Sequence, residues 1–352
     1  MRMKNIVGIC VLGLLSNLSL IAQDQQFSQF YASPLTLNPA LTGTMDGTYR
    51  IGINYRDQGR SLVEVPFSTV SAGIDFRFGL DTRTKAKRDK FGVGMVFFND
   101  KSASVNFFTS YIGVSGAFHK SLSKQEDQFL SIGIQGGIAQ RNVNYDNFTF
   151  DDQFDGSGAY DLPTEEVLPV NNFSYNDLSI GLHYTYAPEG AVGVFLGGTI
   201  HHIMEPQLSF YSDAEVPNDN KLFRKYTGHL GFRFPLGSQV QLLPRALVYI
   251  QGPHTAYNAG TNIRFEMGSN NSAFHMGAYG RFTTNVATSS NITWDAAVAM
   301  VGIETNGFLI GFSYDAKILS ITSGGKPRSA LEFSLTYVGN YDDSESLLCP
   351  SF

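Results

Sequence analysis

From about residue 47 to residue 338 the chain alternates, apolar position against polar position, segment after segment. Leu178, Ile180, Leu182, Tyr184 and Tyr186 share one parity; Ser179, Gly181, His183 and Thr185 share the other. Successive side chains of a strand point to opposite faces, so this period predicts strands. Fourteen segments fit, near 47–57, 68–79, 91–99, 105–118, 128–142, 178–187, 191–201, 224–235, 238–251, 255–267, 273–283, 292–304, 307–318 and 328–338.

The apolar parity is aliphatic and aromatic throughout. Examples are Tyr49, Ile51, Ile53 and Tyr55 in the first segment, and Trp294, Val298 and Met300 in the twelfth. The charges fall on the other parity: Arg50, Arg56, Asp75, Arg77, Arg233, Arg264, Glu266, Arg281, Asp295, Asp315 and Glu332. Two irregularities stand out. Val96 and Phe98 interrupt the polar face of the third segment, and Pro244 removes a ladder donor from the ninth, which predicts a bulge or interrupted pairing.

A soluble β-sandwich also alternates, but its outer face is solvated and carries many Lys and Glu. Here the polar parity is rich in Gly, Ser, Thr and Asn, and the apolar parity is almost free of charge. Lipid requires that, since Arg or Lys at mid-membrane costs roughly 2–4 kcal/mol. Charged residues make up 16% of the chain and aromatics 13%, against about a quarter charged in ordinary soluble domains. The pattern therefore predicts an all-β fold, a transmembrane antiparallel up-and-down barrel of about 14 strands.

The connections agree. With an even strand count both termini lie on the periplasmic side, and even-numbered connections are short turns there. Pro188-Glu189-Gly190, Leu236-Gly237, Ser269-Asn270-Asn271 and Thr305-Asn306 have tight-turn chemistry. The two longest connections, 143–176 and 202–223, are odd-numbered and therefore external. Two even connections, 80–90 and 119–127, are longer than this rule expects, and Thr82 to Lys90 is strongly basic.

Residues 1–22 read as a secretory signal: Arg2 and Lys4 open it and Ile6 to Leu20 form its apolar core. Cys10 lies inside that run rather than closing it, which argues against lipidation. Removing the leader leaves Cys349 alone, so no intrachain disulfide forms. Net charge is −6, or −8 without Arg2 and Lys4. That balance argues against a nucleic-acid partner, which would need a basic patch. The expected organisation is signal 1–22, N-terminal segment 23–46, barrel 47–338 and periplasmic tail 339–352.

The segment before the first strand is different. Gln26-Phe27-Ser28-Gln29-Phe30-Tyr31-Ala32-Ser33-Pro34-Leu35-Thr36-Leu37-Asn38-Pro39-Ala40-Leu41-Thr42-Gly43 does not alternate, and its prolines deny it a continuous helix. Asn38 is placed to cap a short helical turn with Pro39 at its first position and Gly43 closing it. Such a backbone cannot face lipid, so it belongs in the lumen or at the periplasmic mouth. It is either a plug or a docking epitope.

This segment closely resembles the start of the PorP/SprF family of outer-membrane proteins of type IX secretion and gliding. The resemblance rests on Gln29-Phe30-Tyr31, Pro34-Leu35 and Asn38-Pro39-Ala40, followed by Gly43. Tyr55-Arg56-Asp57-Gln58 resembles the family's Tyr-Arg-x-Gln at the end of its first strand, although Gly59 stands where the family often carries an aromatic. Ser313-Tyr314-Asp315, the stretch Ser323 to Glu332, and Cys349 to Phe352 are similar as well. The resemblance implies secretion or surface anchoring of large proteins with C-terminal sorting domains, including gliding adhesins. It also implies periplasmic ring and motor partners. Separately, the tail carries Asp342, Asp343 and Glu345, whose charge is expected to meet a basic partner surface. A solute channel is the alternative, and the Arg excess among the inward charges would suit anions.

Other constellations are weak. Asp151, Asp152, Asp155 and Gly156 imitate a calcium loop, but Leu162 stands where the closing Glu belongs. His201-His202 is a poor chelate, because neighbours on a strand diverge. His183, His229 and His275 face inward and could meet across the lumen. Ser179 or Ser313 with such a His and an Asp would suggest a hydrolase, but no spacing supports one. No cofactor is expected.

Overall fold

The computed structural model describes Asp24 and residues 26–60, 66–80, 89–102, 106–145, 148–211, 220–268, 272–284, 292–318 and 329–341. The leader, most of the basic connection 82–90 and the tail from Asp342 lie outside the described residues.

Fourteen antiparallel strands close into one barrel in sequence order. They are β1 (Tyr49–Gln58), β2 (Phe67–Leu80), β3 (Asp89–Ser102), β4 (Phe107–Ser121), β5 (Gln128–Val143), β6 (Asn172–Tyr186) and β7 (Gly193–His201). The circuit continues with β8 (Lys225–Pro235), β9 (Val240–Gln251), β10 (His254–Glu266), β11 (Ser272–Thr284), β12 (Ile292–Thr305), β13 (Phe308–Lys317) and β14 (Ala330–Gly339). β1 and β14 pair from Tyr49↔Gly339 to Gln58↔Ala330 and close the cylinder. Closure leaves no edge strand, which is what a sheet surrounded by hydrocarbon requires.

The alternation maps onto the two faces of the wall. On β5 the exposed side chains are Leu130, Ile132, Ile134 and Ile138, the last two at 54%, while Ser131 and Gln135 are buried in the lumen. Turns 187–192, 236–239 and 306–307 lie at one end, the short-turn end, with the starts of β1 and β3; the two-residue turn 252–253 is an exception at the opposite end. Connections 144–171 and 202–224 leave from the other.

Pro244 interrupts pairing as its missing N–H dictates. The β8–β9 ladder runs to Gly231↔Arg245 and resumes at Phe234↔Leu242 in the same register.

The twelfth segment needs a correction. Val298 and Met300 do not share the outward face of Trp294; they are buried at 2% and 5%, while Trp294 is 51% exposed. The register between β11 and β12 shifts, with Arg281 opposite Ala296 and Phe282 opposite Trp294, so Asp295 is an extra residue. A bulge places two residues opposite one and flips the parity beyond it. Val298 and Met300 therefore enter the lumen.

Val96 and Phe98 do likewise on β3. They are inward-facing apolar residues, and Phe98 meets the ring of Phe27 edge-on at 6.5 Å. The lumen is not uniformly polar because it has something apolar to receive.

Candidate functional site

The lumen is occupied by the N-terminal segment. It enters at the long-connection end, descends, and leaves at the short-turn end to become β1. An up-and-down barrel puts the start of β1 and the end of β14 on one side, and Tyr49 and Gly339 are there. Asp24 is not: it lies at the opposite end.

At the top, the Asp24 carboxylate accepts hydrogen bonds from His202 Nε2 at 2.7 Å and Lys225 Nζ at 2.9 Å. His202 Nδ1 donates to Asp177 Oδ2 at 3.0 Å, so the ring lies between two carboxylates. Burial disfavours its charged form, but Asp24 and Asp177 outweigh burial and lift its pKa to about 9. Burial likewise opposes ionisation of Asp24, and the His202 and Lys225 charges hold it well below the usual carboxylate range.

One level down, Glu332 of β14 accepts from the backbone N–H groups of Ser28 at 2.7 Å and Gln29 at 2.9 Å. Arg56 pairs with the same carboxylate and, at 3.0 Å, with Asp315. The Ser28 hydroxyl donates to Asp315 at 2.6 Å and accepts from Arg56 at 3.1 Å and Arg281 at 3.2 Å. Arg281 in turn pairs with Asp315 and with the bulged Asp295. The Gln29 amide donates to Ser313 at 3.1 Å and accepts from Ser334 at 2.7 Å. The inward charges of β1, β11, β12, β13 and β14 thus converge on two residues of the segment.

Below this the contact turns apolar. Phe30 packs edge-on against Tyr279 at 6.1 Å, in a cluster with Leu37, Leu41, Leu247, Tyr249, Val298 and Met300. Tyr31 donates its hydroxyl to the Met300 sulfur at 2.9 Å and carries the Arg245 guanidinium 4.5 Å over its ring. Burial of these side chains is the main apolar gain of seating the segment.

Pro34–Leu37 forms a single helical turn, and Pro39–Leu41 a second, tighter one. Asn38 caps the second: its Oδ1 accepts from Ala40 N at 2.9 Å. Its Nδ2 donates outward to the carbonyls of Leu182 at 2.9 Å and Gly198 at 3.4 Å, so one side chain both caps the turn and ties it to the wall. The approach is close because the wall carries glycines there. A Cβ at Gly181 would lie 1.9 Å from Asn38 Oδ1, and one at Gly133 would lie 2.4 Å from the Pro39 carbonyl. Ala40 is fully buried against this surface.

At the bottom, Gly43 takes a positive φ of 80° and gives its N–H to Asp75 at 2.7 Å. Arg50 pairs with Asp75 and donates to the carbonyls of Leu41 and Thr44 at 3.2 Å. His119 Nε2 meets the Thr42 carbonyl at 2.8 Å.

Of the residues singled out in the sequence, Gln29, Phe30, Tyr31, Pro34, Asn38, Pro39, Ala40, Gly43 and Arg56 belong to this assembly. Tyr55 does not: it is 38% exposed on the outer face. Sequence reasoning missed Asp24, Ser28 and His202 as site residues, and it named Glu332, Asp315 and Arg281 as inward charges without their task. Their parity was legible; their convergence on a segment some 300 residues away was not.

His183 and His229 do meet, at 3.1 Å, whereas His275 lies apart, bonded to Glu304 at 3.0 Å. Ser179 bonds His201 at 3.1 Å rather than His183, and no carboxylate bonds that ring among the described residues. The calcium-like loop spends its carboxylates internally, Asp155 on Ser157 and Ala159, and Asp152 on Thr164 and Glu165. Among the described residues no group of three or more His, Cys, Asp or Glu is placed to hold a metal.

A closed barrel with an apolar exterior and a lumen filled by its own N-terminal segment is an outer-membrane β-barrel protein. The family model for the type IX secretion system membrane protein PorP/SprF matches residues 19–337, and the chain belongs to that family. No curated protein sequence matches. Among solved structures, a FadL homologue from Pseudomonas aeruginosa is similar at 11% identity and a TM-score of 0.48, over 85% of this chain and 92% of that one. CdiB from Acinetobacter baumannii is similar at 7% identity and a TM-score of 0.45, over 82% of this chain and 60% of that one, so the chain spans less than two thirds of CdiB.

Proposed function

We propose that this protein is a plugged scaffold of type IX secretion that supports the export or surface anchoring of large proteins with C-terminal sorting domains. Family membership supports the secretion role. The observation that favours a scaffold over a solute channel is the lumen segment, bonded from Asp24 at one end to Gly43 at the other. Paired inward charges of both signs favour the same reading, because they hold a segment rather than line an ion path. The chain acts by binding, with no cofactor and no catalytic step. In this reading the short-turn end faces the periplasm, where ring and motor components of the machinery dock, and the long connections face outward toward the anchored protein.

Crosslinking in intact envelopes, followed by capture of this chain, tests the role. The expected result is recovery of secretion-ring proteins together with one large surface protein. Recovery of neither overturns it. Steady ion conductance by the purified barrel in planar bilayers would overturn the plugged state.

A further inference from the structure

At the long-connection end, two loops frame a groove of about 580 Å³, open to solvent. Val167, Leu168, Val170, Phe173, Phe210 and Tyr211 line it. Phe173 and Phe210 meet edge-on at 4.9 Å and make a fixed floor. The rim is unusually bare: Val167 is 91% exposed, Val170 65% and Tyr211 56%. Large apolar side chains left this open in one contiguous patch mark an interaction surface.

The backbone is bare as well. Residues 163–170 belong to no helix or strand, and the N–H groups of Val167, Leu168 and Val170 meet no acceptor among the described residues. Unpaired main-chain donors beside an apolar groove can take up an added strand, in which main-chain bonds give affinity and alternate side chains fill the groove.

Charge selects the occupant. Residues 142–171 hold seven acids, among them Asp161, Glu165 and Glu166, and neither Lys nor Arg. A second copy of the chain would bring the same acidic rim and be repelled, and anionic lipid headgroups would be repelled equally. We infer that this groove docks an extended segment of another protein in which apolar side chains alternate with Lys or Arg. The partner lies outside the cell, a point that alone rests on the function proposed above. Pro169 offers no N–H, so pairing is confined to its flanks and the attachment is short.

The test uses the full chain purified in an uncharged detergent and three labelled octapeptides, alternating Lys with Val, Glu with Val, and Lys with Ser, read by fluorescence anisotropy. The Lys/Val peptide should bind at least about tenfold more tightly than either other peptide, and more weakly as salt rises. A Val167→Ser, Val170→Ser variant should lose at least about tenfold, while Leu236→Ser at the short-turn end should change nothing. Heat-modifiable migration in gels verifies that each variant keeps a folded barrel. Equal affinity for the three peptides, or binding indifferent to the double substitution, overturns the proposal. So does self-association abolished by that substitution, which would make a second copy the occupant. Envelope crosslinks to the secretion ring without peptide binding would remove this groove and leave the secretion role standing.

Discussion

The Glu332 carboxylate holds the backbone N–H of Gln29 at 2.9 Å, although 303 residues separate the two. The second oxygen holds the N–H of Ser28 at 2.7 Å. The first turn of the segment and the last strand of the barrel are therefore fixed by one side chain. That side chain is itself neutralised by Arg56, which is buried with it.

Replacing Glu332 by Ala removes three partners at once and leaves the Arg56 charge buried beside Asp315 alone. Losing one member of a buried pair costs about 3–5 kcal/mol. Urea unfolding in detergent should show a loss of that order. Limited proteolysis should cut residues 24–46 faster than in the parent while the barrel resists. Glu332→Gln, which keeps an acceptor but not the charge, should be intermediate. A protease pattern unchanged in Glu332→Ala would show that this carboxylate does not seat the segment.

The wall opposite Asn38 permits a different intervention. A side chain at Gly181 would need the space that Asn38 Oδ1 occupies. Gly181→Leu should displace the segment by steric conflict, with a cost of about 1–3 kcal/mol for an overfilled contact. The strand itself tolerates Leu, whose neighbours in the β6 ladder pair normally. Conductance in planar bilayers should rise while heat-modifiable migration persists. Silence in the bilayer would mean that the segment stays in place.

Asn38→Ala probes the segment from its own side. It removes the cap on Ala40 and the bond to the Leu182 carbonyl, about 1 kcal/mol for each. Hydrogen exchange at Ala40 and Leu41 should quicken, with little change at Ser28 and Gln29, which Glu332 holds independently. Uniform quickening across 24–46 would instead mark the segment as one cooperative unit.

The barrel was legible because alternation is a local signal that repeats in every strand. The exceptions were illegible for a physical reason. Val96 and Phe98 read as interruptions of a polar face, and Val298 and Met300 as outward apolar positions, because nothing near them in sequence announces an apolar partner inside the barrel. That partner is Phe27, Phe30, Tyr31 and Leu37, and only closure of the sheet brings them together. The bulge at Asp295 is equally silent: one extra residue flips a face without altering composition. Within the segment, Asn38 and Pro39 did announce their turn, since capping is local. Glu332 announced only its inward parity, since its partners are set by tertiary structure.

The Asp24–His202 contact makes the top of the segment sensitive to pH. An unlatched His202 would titrate near the ordinary 6.5, and in place it titrates at about 9. Below the first value the ring is charged in both states and the contact contributes fully. Between the two, the seated ring keeps a proton that the free ring has lost. Above the second the contribution is gone, a change on the order of 3 kcal/mol. Asp24 works in the opposite direction: its depressed pKa means that its contribution is present at neutral pH and fades only in strong acid. Hydrogen exchange or a fluorophore placed beside residue 24 should therefore report a seated top from weakly acidic to neutral pH, and release as pH climbs through about 9. His202→Gln should lie looser at neutral pH and lose the alkaline transition, while the Glu332 level below stays closed. A transition of equal size in His202→Gln would assign it to another group.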